Sequence, residues 1–348
     1  MVSILIVDDT LVVRELLSYI LGSTPGVTIA GTAANGREAL EAIATLRPDI
    51  VTMDINMPGM NGFETTRRIM ETCPLPIIIV SGSWKTDEVA TTFRALEAGA
   101  VAVVARPPGI GHPDHKYAAA ELVQTVLAMA EVRVVRRWPR AAAQTPTTFQ
   151  PDRPTAPASR KQIDMVAVGA STGGPVVIQS FLKSLPENFS IPILIVQHMA
   201  GGFIQGFVEW LAHTCGRPVL LGGHGAFLVR GHAYVAPDGH QMGVDACGRL
   251  RLGAPEPENG FAPSVSYLFR SVAEVYGLRS AAILLSGMGI DGAAELKHLN
   301  DIGALTFAQD EESAVIYGMP GEAKRLGAAQ YILPPQKIAT TLASLSQP

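Results

Sequence analysis

Met165-Val-Ala-Val-Gly-Ala-Ser-Thr-Gly-Gly-Pro175 reads as a buried strand, a glycine-flanked turn and the start of a helix. The β-branched and small apolar run has no polar face, as in a strand covered on both sides. The glycines permit a tight turn, and proline suits the first helical position. Working outward, the same texture repeats. Ile193–Val196, Ala282–Leu285, Leu305–Ala308 and Tyr331–Leu333 read as further buried parallel strands. Pro175–Leu185, Phe203–Leu211, Ser264–Tyr276, Gly292–Leu299 and Pro320–Leu326 have helical apolar spacing. Between Val219 and Leu252 glycines become frequent and apolar runs short, which predicts one or two inserted antiparallel hairpins.

The first third of the chain carries a second βα series. Ile4–Val7, Val27–Gly31, Ile50–Met53, Pro76–Val80 and Val101–Ala105 alternate with helical segments at Val13–Leu21, Arg37–Leu46, Gly62–Glu71 and Asp87–Ala98. A last helix is read from Tyr117 to about Val135. Strands alternating with helices imply right-handed crossovers and a parallel sheet. Five repeats make a flavodoxin-like unit. From Trp138 to Arg160 prolines and small residues replace apolar ones, so this stretch reads as an extended linker. The fold class is therefore α/β. Two doubly wound parallel-sheet domains are expected over 1–130 and 162–348, joined by a linker over 131–161, with the hairpin insertion in the second.

Composition narrows the possible functions. The 348 residues are 47% hydrophobic and 17% charged, with a net charge of −4, which gives no general attraction to nucleic acid or anionic membrane. Arg133, Arg136, Arg137 and Arg140 read as a solvated helix end rather than a nucleic-acid contact. Three dispersed cysteines, Cys73, Cys215 and Cys247, have no metal-type spacing and suit a reducing cytoplasm. The N-terminus runs straight into a strand, without signal-peptide character, and no apolar run is long enough to span a bilayer.

Two clusters of chemistry fall at strand C-termini, the ligand-binding edge of such sheets. In the first half, Asp8 and Asp9 end one strand and Asp54 another, with Ser81 and Arg106 at the ends of the fourth and fifth. One such Asp is ordinarily a solvated loop carboxylate. Three meeting at one edge call for a hard cation, and oxygen-only ligands suit Mg²⁺. Asp54 could then attack a phosphoryl donor, with metal and cation offsetting the transferred charge.

In the second half, Ser171 sits on a strand-to-helix turn that would expose its Oγ near a helix N-terminus. A serine nucleophile needs a base, and the base needs an orienting acid. Among His198, His213, His224, His232, His240 and His298, only His198 ends a strongly apolar strand. Asp291 follows another strand through a Gly-rich loop, Asp310 is its rival for the acid, and Asp238 has the look of a simple turn residue. A phosphate-binding turn is the alternative for Gly169–Gly174, but the dinucleotide pattern and the P-loop lysine are both missing.

The residues from Met1 to about Ala130 resemble the response-regulator receiver family, on Asp8-Asp9, Asp54 with Met57-Pro-Gly59, Ser81 and Arg106-Pro107. The resemblance implies Asp54 as phosphoacceptor, Asp9 as a direct Mg²⁺ ligand with Asp8 supporting it, and a histidine kinase as donor. Arg106 stands where the family usually has lysine. From about Met165 onward the chain resembles the chemotaxis protein-glutamate methylesterase family, CheB. The matching motifs are Gly169–Gly174, Gln197-His-Met199, Pro263-Ser-Val265, Leu268-Phe-Arg-Ser271, Gly287-Met-Gly-Ile-Asp-Gly292, Ala308-Gln-Asp-Glu-Glu-Ser313 and Tyr317-Gly-Met-Pro320.

This second resemblance implies Ser171 as nucleophile, His198 as base and Asp291 as orienting acid. Backbone N–H groups near Thr172 and Met288 are candidates for the oxyanion hole. It also implies demethylation of glutamate methyl esters, and deamidation of glutamines, on chemoreceptor helices. No cofactor is expected in this half. Phe261-Ala262 replaces the family's usual His-Arg, and Ser266 its usual Asp, which bears on how a receptor helix docks. A receiver-gated esterase or amidase with another substrate, and a phosphorylation-gated binding module, are the alternative readings.

Overall fold

The computed structural model describes residues 1–82, 93–132, 134, 161–254, 256, 258 and 260–347. They form two units, each described by itself: Met1–Gly82 with the stretch from Arg94, and the chain from Lys161 onward.

In the first unit the strands are β1 (Val2–Val7), β2 (Val27–Ala33), β3 (Ile50–Met53), β4 (Ile77–Ser81) and β5 (Ala102–Ala105). They pair in parallel in the order β2-β1-β3-β4-β5. Ile4, Leu5, Ile6, Ile50, Val51 and Ile77–Ile79 are fully buried, as expected where helices cover both faces. Helices cover Leu11–Gly22, Gly36–Leu46, Gly62–Thr72 and His115–Ala130. Asn35 and Asn61 cap the second and third by accepting from the N–H groups of Glu38 and Glu64. The last helix stops at Ala130, short of the expected Val135. Only the part of the Asp87–Ala98 helix from Phe93 is described, and it is helical there. The linker and Arg133, Arg136, Arg137 and Arg140 lie outside the described residues.

The second unit opens with β6 (Lys161–Gln162), β7 (Met165–Ala170), β8 (Ile193–Gln197), β9 (Val219–Leu221) and β10 (Ala233–Val235). Next come β11 (Gln241–Val244), β12 (Leu250–Gly253), β13 (Ser280–Leu284), β14 (Leu305–Gln309), β15 (Tyr331–Leu333) and β16 (Ser346–Gln347). Seven of them form one parallel sheet in the order β15-β14-β13-β7-β8-β10-β9. The order reverses about β7: the chain first builds toward β8 and later returns to add β13 on the other side. A crevice opens above the strand ends at such a reversal.

Of the one or two antiparallel hairpins expected over Val219–Leu252, one is present, β11 with β12. β9 and β10 instead extend the main sheet in parallel. Both are three residues long and bounded by turns, so their apolar runs are too short to distinguish strands of the main sheet from hairpin arms. A final helix, Pro335–Leu345, was not anticipated. It buries Ile338, Ala339 and Leu342 and packs on the helix Gly174–Ser184.

Candidate active site and phosphoacceptor site

Ser171 leaves β7 at the reversal point. Its N–H donates to the Ser286 carbonyl at 2.9 Å, and its own carbonyl accepts from Gly174 N–H at 2.8 Å, which forms the turn. Gly173 completes that turn at φ 79°, a left-handed conformation that favours glycine. The helix Gly174–Ser184 begins there, so its positive end lies at the serine turn.

The neighbouring strand carries the imidazole. Ala170 pairs with Gln197 in the β7–β8 register, so Ser171 and His198 are the next residues on each strand. The His198 N–H donates to the Ala170 carbonyl at 2.9 Å. Gln197, 2% exposed, fastens the two turns together: its Nε2 donates to the carbonyls of both Ser171 and His198, each at 2.7 Å. A glutamine closing an otherwise apolar strand was the available sign of this role.

Asp291 follows β13 on the other side of β7, and its Oδ2 lies 2.9 Å from His198 Nε2. Three further donors reach the same carboxylate: Ser264 Oγ at 3.0 Å, Val265 N–H at 2.7 Å and Ser266 N–H at 3.1 Å. The last two belong to the first turn of the helix Val265–Tyr276, and Ser264 is its N-cap. A carboxylate at a helix N-terminus meets orphan N–H groups and a favourable dipole. Burial alone would raise the Asp291 pKa. The hydrogen bonds from His198, Ser266 and Val265 outweigh burial and hold it at about 2, so the group is ionised at neutral pH.

This arrangement sets the tautomer. An ionised carboxylate only accepts, so Nε2 carries the proton and Nδ1 presents its lone pair. Nδ1 is buried and has no partner among the described residues, and Ser171 Oγ likewise forms no hydrogen bond to them. The His198–Asp291 half of a relay is thus closed. The Ser171 half is an unbonded hydroxyl and an unbonded ring nitrogen on adjacent strand ends. The N–H groups of Thr172 and Met288 also have no acceptor among the described residues. Ser286 Oγ ties the surrounding loops, donating to the Thr172 carbonyl at 2.8 Å and accepting from Ile316 N–H at 2.9 Å. Gly287 lies so close that a Cβ there would meet the Ser171 Cβ at 2.8 Å.

The rival residues have other occupations. Asp310 accepts from Ser313, through both its N–H and its hydroxyl, and not from His198. Asp238 does more than shape a turn: its Oδ2 accepts from Gly202 N–H at 2.7 Å, tying down the segment after His198. His213 and His298 lie in helices, while His224, His232 and His240 bond to backbone groups nearby. Phe261 and Ser266, read as bearing on receptor docking, contact the inner groups: Phe261 stacks on His198 and Ser266 bonds Asp291. Ser264 is a functional residue that the motif Pro263-Ser-Val265 does not single out by itself. A serine just before a helical stretch is an N-cap signal, and here the same hydroxyl also serves Asp291.

In the first unit, Asp8, Asp9 and Asp54 each bring a carboxylate oxygen within 4.8 Å of the other two. Burial, with the nearby Asp8 carboxylate adding to it, pushes Asp54 up to about 6, and burial also raises Asp8. Arg106 Nη2 lies 3.2 Å from both Asp8 and Asp54 and offsets part of that charge. Its N–H is anchored on the Ser81 carbonyl at 2.8 Å, and the Ser81 side is buried at the same strand edge. An oxygen-only set with excess negative charge fits a hard divalent cation.

Comparison with known proteins agrees with both halves. Residues 166–342 match the CheB methylesterase family model, and residues 4–112 match the response regulator receiver domain model. A protein-glutamate methylesterase/protein-glutamine glutaminase of Syntrophus aciditrophicus is 54% identical over 346 residues, covering 99% of each chain. One of Nitrosospira multiformis is 52% identical over 349 residues, covering 99% of this chain and 97% of that one. The crystal structure of the Thermotoga maritima CheB methylesterase catalytic domain superposes with a TM-score of 0.51 at 33% identity, covering 53% of this chain and 99% of that domain. This chain belongs to the CheB methylesterase family and carries a response regulator receiver domain ahead of the catalytic one.

Proposed function

We propose that this chain is a protein-glutamate methylesterase and protein-glutamine glutaminase, controlled by phosphorylation of its receiver domain, acting on chemoreceptor helices in the cytoplasm. The observation that carries the reading is the His198–Asp291 pair, with a buried Nδ1 that has no partner among the described residues, on the strand end next to that of Ser171. In this reading Ser171 Oγ attacks the γ-carbonyl of a glutamate methyl ester and His198 Nδ1 takes its proton. Asp291 holds the tautomer and stabilises the imidazolium. The N–H groups of Thr172 and Met288, without an acceptor among the described residues, receive the developing oxyanion. His198 returns its proton to the leaving methoxide, methanol departs, and water hydrolyses the acyl-serine by the same path reversed. A glutamine side chain follows the same course and releases ammonia.

In the receiver, Asp54 is the phosphoacceptor. Asp9 and Asp54, with Asp8 supporting, would hold Mg²⁺, which when bound offsets the charge of the incoming phosphoryl group. Arg106 supplies a second positive charge at the same edge, and Ser81 a hydroxyl. A chemotaxis-type histidine kinase is the donor. Among the described residues no helix is long and apolar enough to cross a membrane.

The test is methanol release from methylated receptor membranes, with and without Mg²⁺ and a small phosphodonor. Wild-type protein releases methanol, faster with the donor, and Ser171→Ala releases none. Turnover of simple esters without methanol release from receptors would point to a different substrate.

A further inference from the structure

The Phe261 ring lies flat on the imidazole of His198, with centroids 3.9 Å apart and planes 3° from parallel. We propose that Phe261 is a positioning residue for the hydrolysis, holding the His198 ring in the plane that points Nε2 at Asp291 and leaves Nδ1 free. The proposal rests on His198 being the base.

The physical need is specific. A hydrogen bond to a ring nitrogen is directional and lies in the ring plane. The ring turns about its Cβ–Cγ bond, and Nε2 lies close to that axis, so the Nε2–Asp291 bond restrains the rotation only weakly. Nδ1, farther from the axis, has no partner among the described residues to restrain it further. A flat apolar face supplies the missing restraint without offering a competing donor or acceptor. It also keeps water off one side of the ring. When the imidazolium forms during proton transfer, its charge faces an aromatic π-cloud.

The stack is itself braced. The Phe261 carbonyl accepts from Gln241 Nε2 at 2.8 Å, and Phe261 and Glu258 exchange backbone hydrogen bonds at 2.9 Å. Arg270 donates to the Glu258 carboxylate through both terminal nitrogens and to Glu295 at 3.3 Å. Glu295 accepts from Ser266 Oγ at 2.7 Å, and Ser266 N–H donates to Asp291. The chain of contacts therefore closes on itself: from Asp291 through Ser266, Glu295, Arg270 and Glu258 to Phe261, and through His198 back to Asp291. Both groups that fix the imidazole belong to one network.

The test compares Phe261→Leu, which keeps apolar bulk but loses the flat face, with Phe261→Tyr, which keeps it. Two readouts are used on the full chain: steady-state methanol release from methylated receptor, and the carbon-bound proton resonances of the His198 ring. Stacking shifts those resonances upfield. Phe261→Leu is expected to lose the upfield shift and about ten-fold in kcat with KM unchanged, and Phe261→Tyr to recover both. The inference is overturned by wild-type kcat in the leucine variant, by a loss confined to KM, or by a tyrosine variant as impaired as the leucine one. His198→Ala separates the underlying assignment. If that variant keeps its activity, the base assignment and the inference fall together. If it is inactive while Phe261→Leu is not, the inference alone falls.

Discussion

A single carboxylate shows how much of this site depends on donors rather than on charge pairing. Asp291 is 4% exposed, a setting that opposes ionisation, yet four hydrogen bonds keep it charged. Its pKa is lowered from 3.8 to about 2 in the fold, so the native state binds this proton more weakly than the unfolded chain. The stabilisation is therefore fully present above pH 3.8 and is lost as pH falls through about 2. Urea midpoints of the protein should drop across that acid window, and Asp291→Asn should flatten this part of the drop. Ser264→Ala removes one donor to a charged acceptor, with an expected cost of about 1.5–3 kcal/mol in stability, and should slow methanol release by loosening Asp291. An unchanged urea midpoint in Ser264→Ala would show that the two helix N–H groups suffice.

At the scale of elements, the serine, the histidine and the aspartate come from the C-terminal ends of β7, β8 and the β13 loop, three adjacent strands at the reversal of the sheet. That much was legible, because an apolar run ending in a polar residue marks both the strand and the edge it reaches. Strand order was not legible. Nothing in Val219–Leu221 or Ala233–Val235 says that they join the main sheet, since pairing partners are set by long-range contacts. Nor did the sequence reveal the Phe261 stack, which depends on how a distant loop returns over β8. The loop after β13 also presses on the serine turn more tightly than its glycines suggested. Gly287→Ala would put a Cβ 3.1 Å from the Ser171 backbone nitrogen and 2.3 Å from Met319 Sδ. The methionine can move, but the serine turn is fixed by the Ser286 carbonyl and by Gln197. The expected result is a fold that persists by circular dichroism, with kcat reduced by about a hundred-fold, as small displacements of reacting groups do. Wild-type turnover in Gly287→Ala would mean that the turn gives way without cost.

At the scale of the whole chain, control requires that the receiver change the population of catalytically competent molecules, and a modification shifts such an equilibrium only through its differential effect on the two states. We infer that the unphosphorylated receiver disfavours the competent state. The fragment that tests this must begin at Lys161 rather than later. β6 pairs with β16 in a small sheet of their own, Lys161 Nζ donates to the Gly303 carbonyl at 2.8 Å, and Ile163 is buried, so a start at Met165 would strip the catalytic unit of these contacts. The fragment from Lys161 should release methanol faster than the unphosphorylated full chain. Phosphodonor and Mg²⁺ should bring the full chain toward the fragment's rate while leaving the fragment unchanged. Asp54→Asn should hold the full chain at its low rate in either condition. Equal rates for fragment and unphosphorylated chain would mean that the receiver does not inhibit, and that phosphorylation acts by creating a productive state instead of releasing a blocked one.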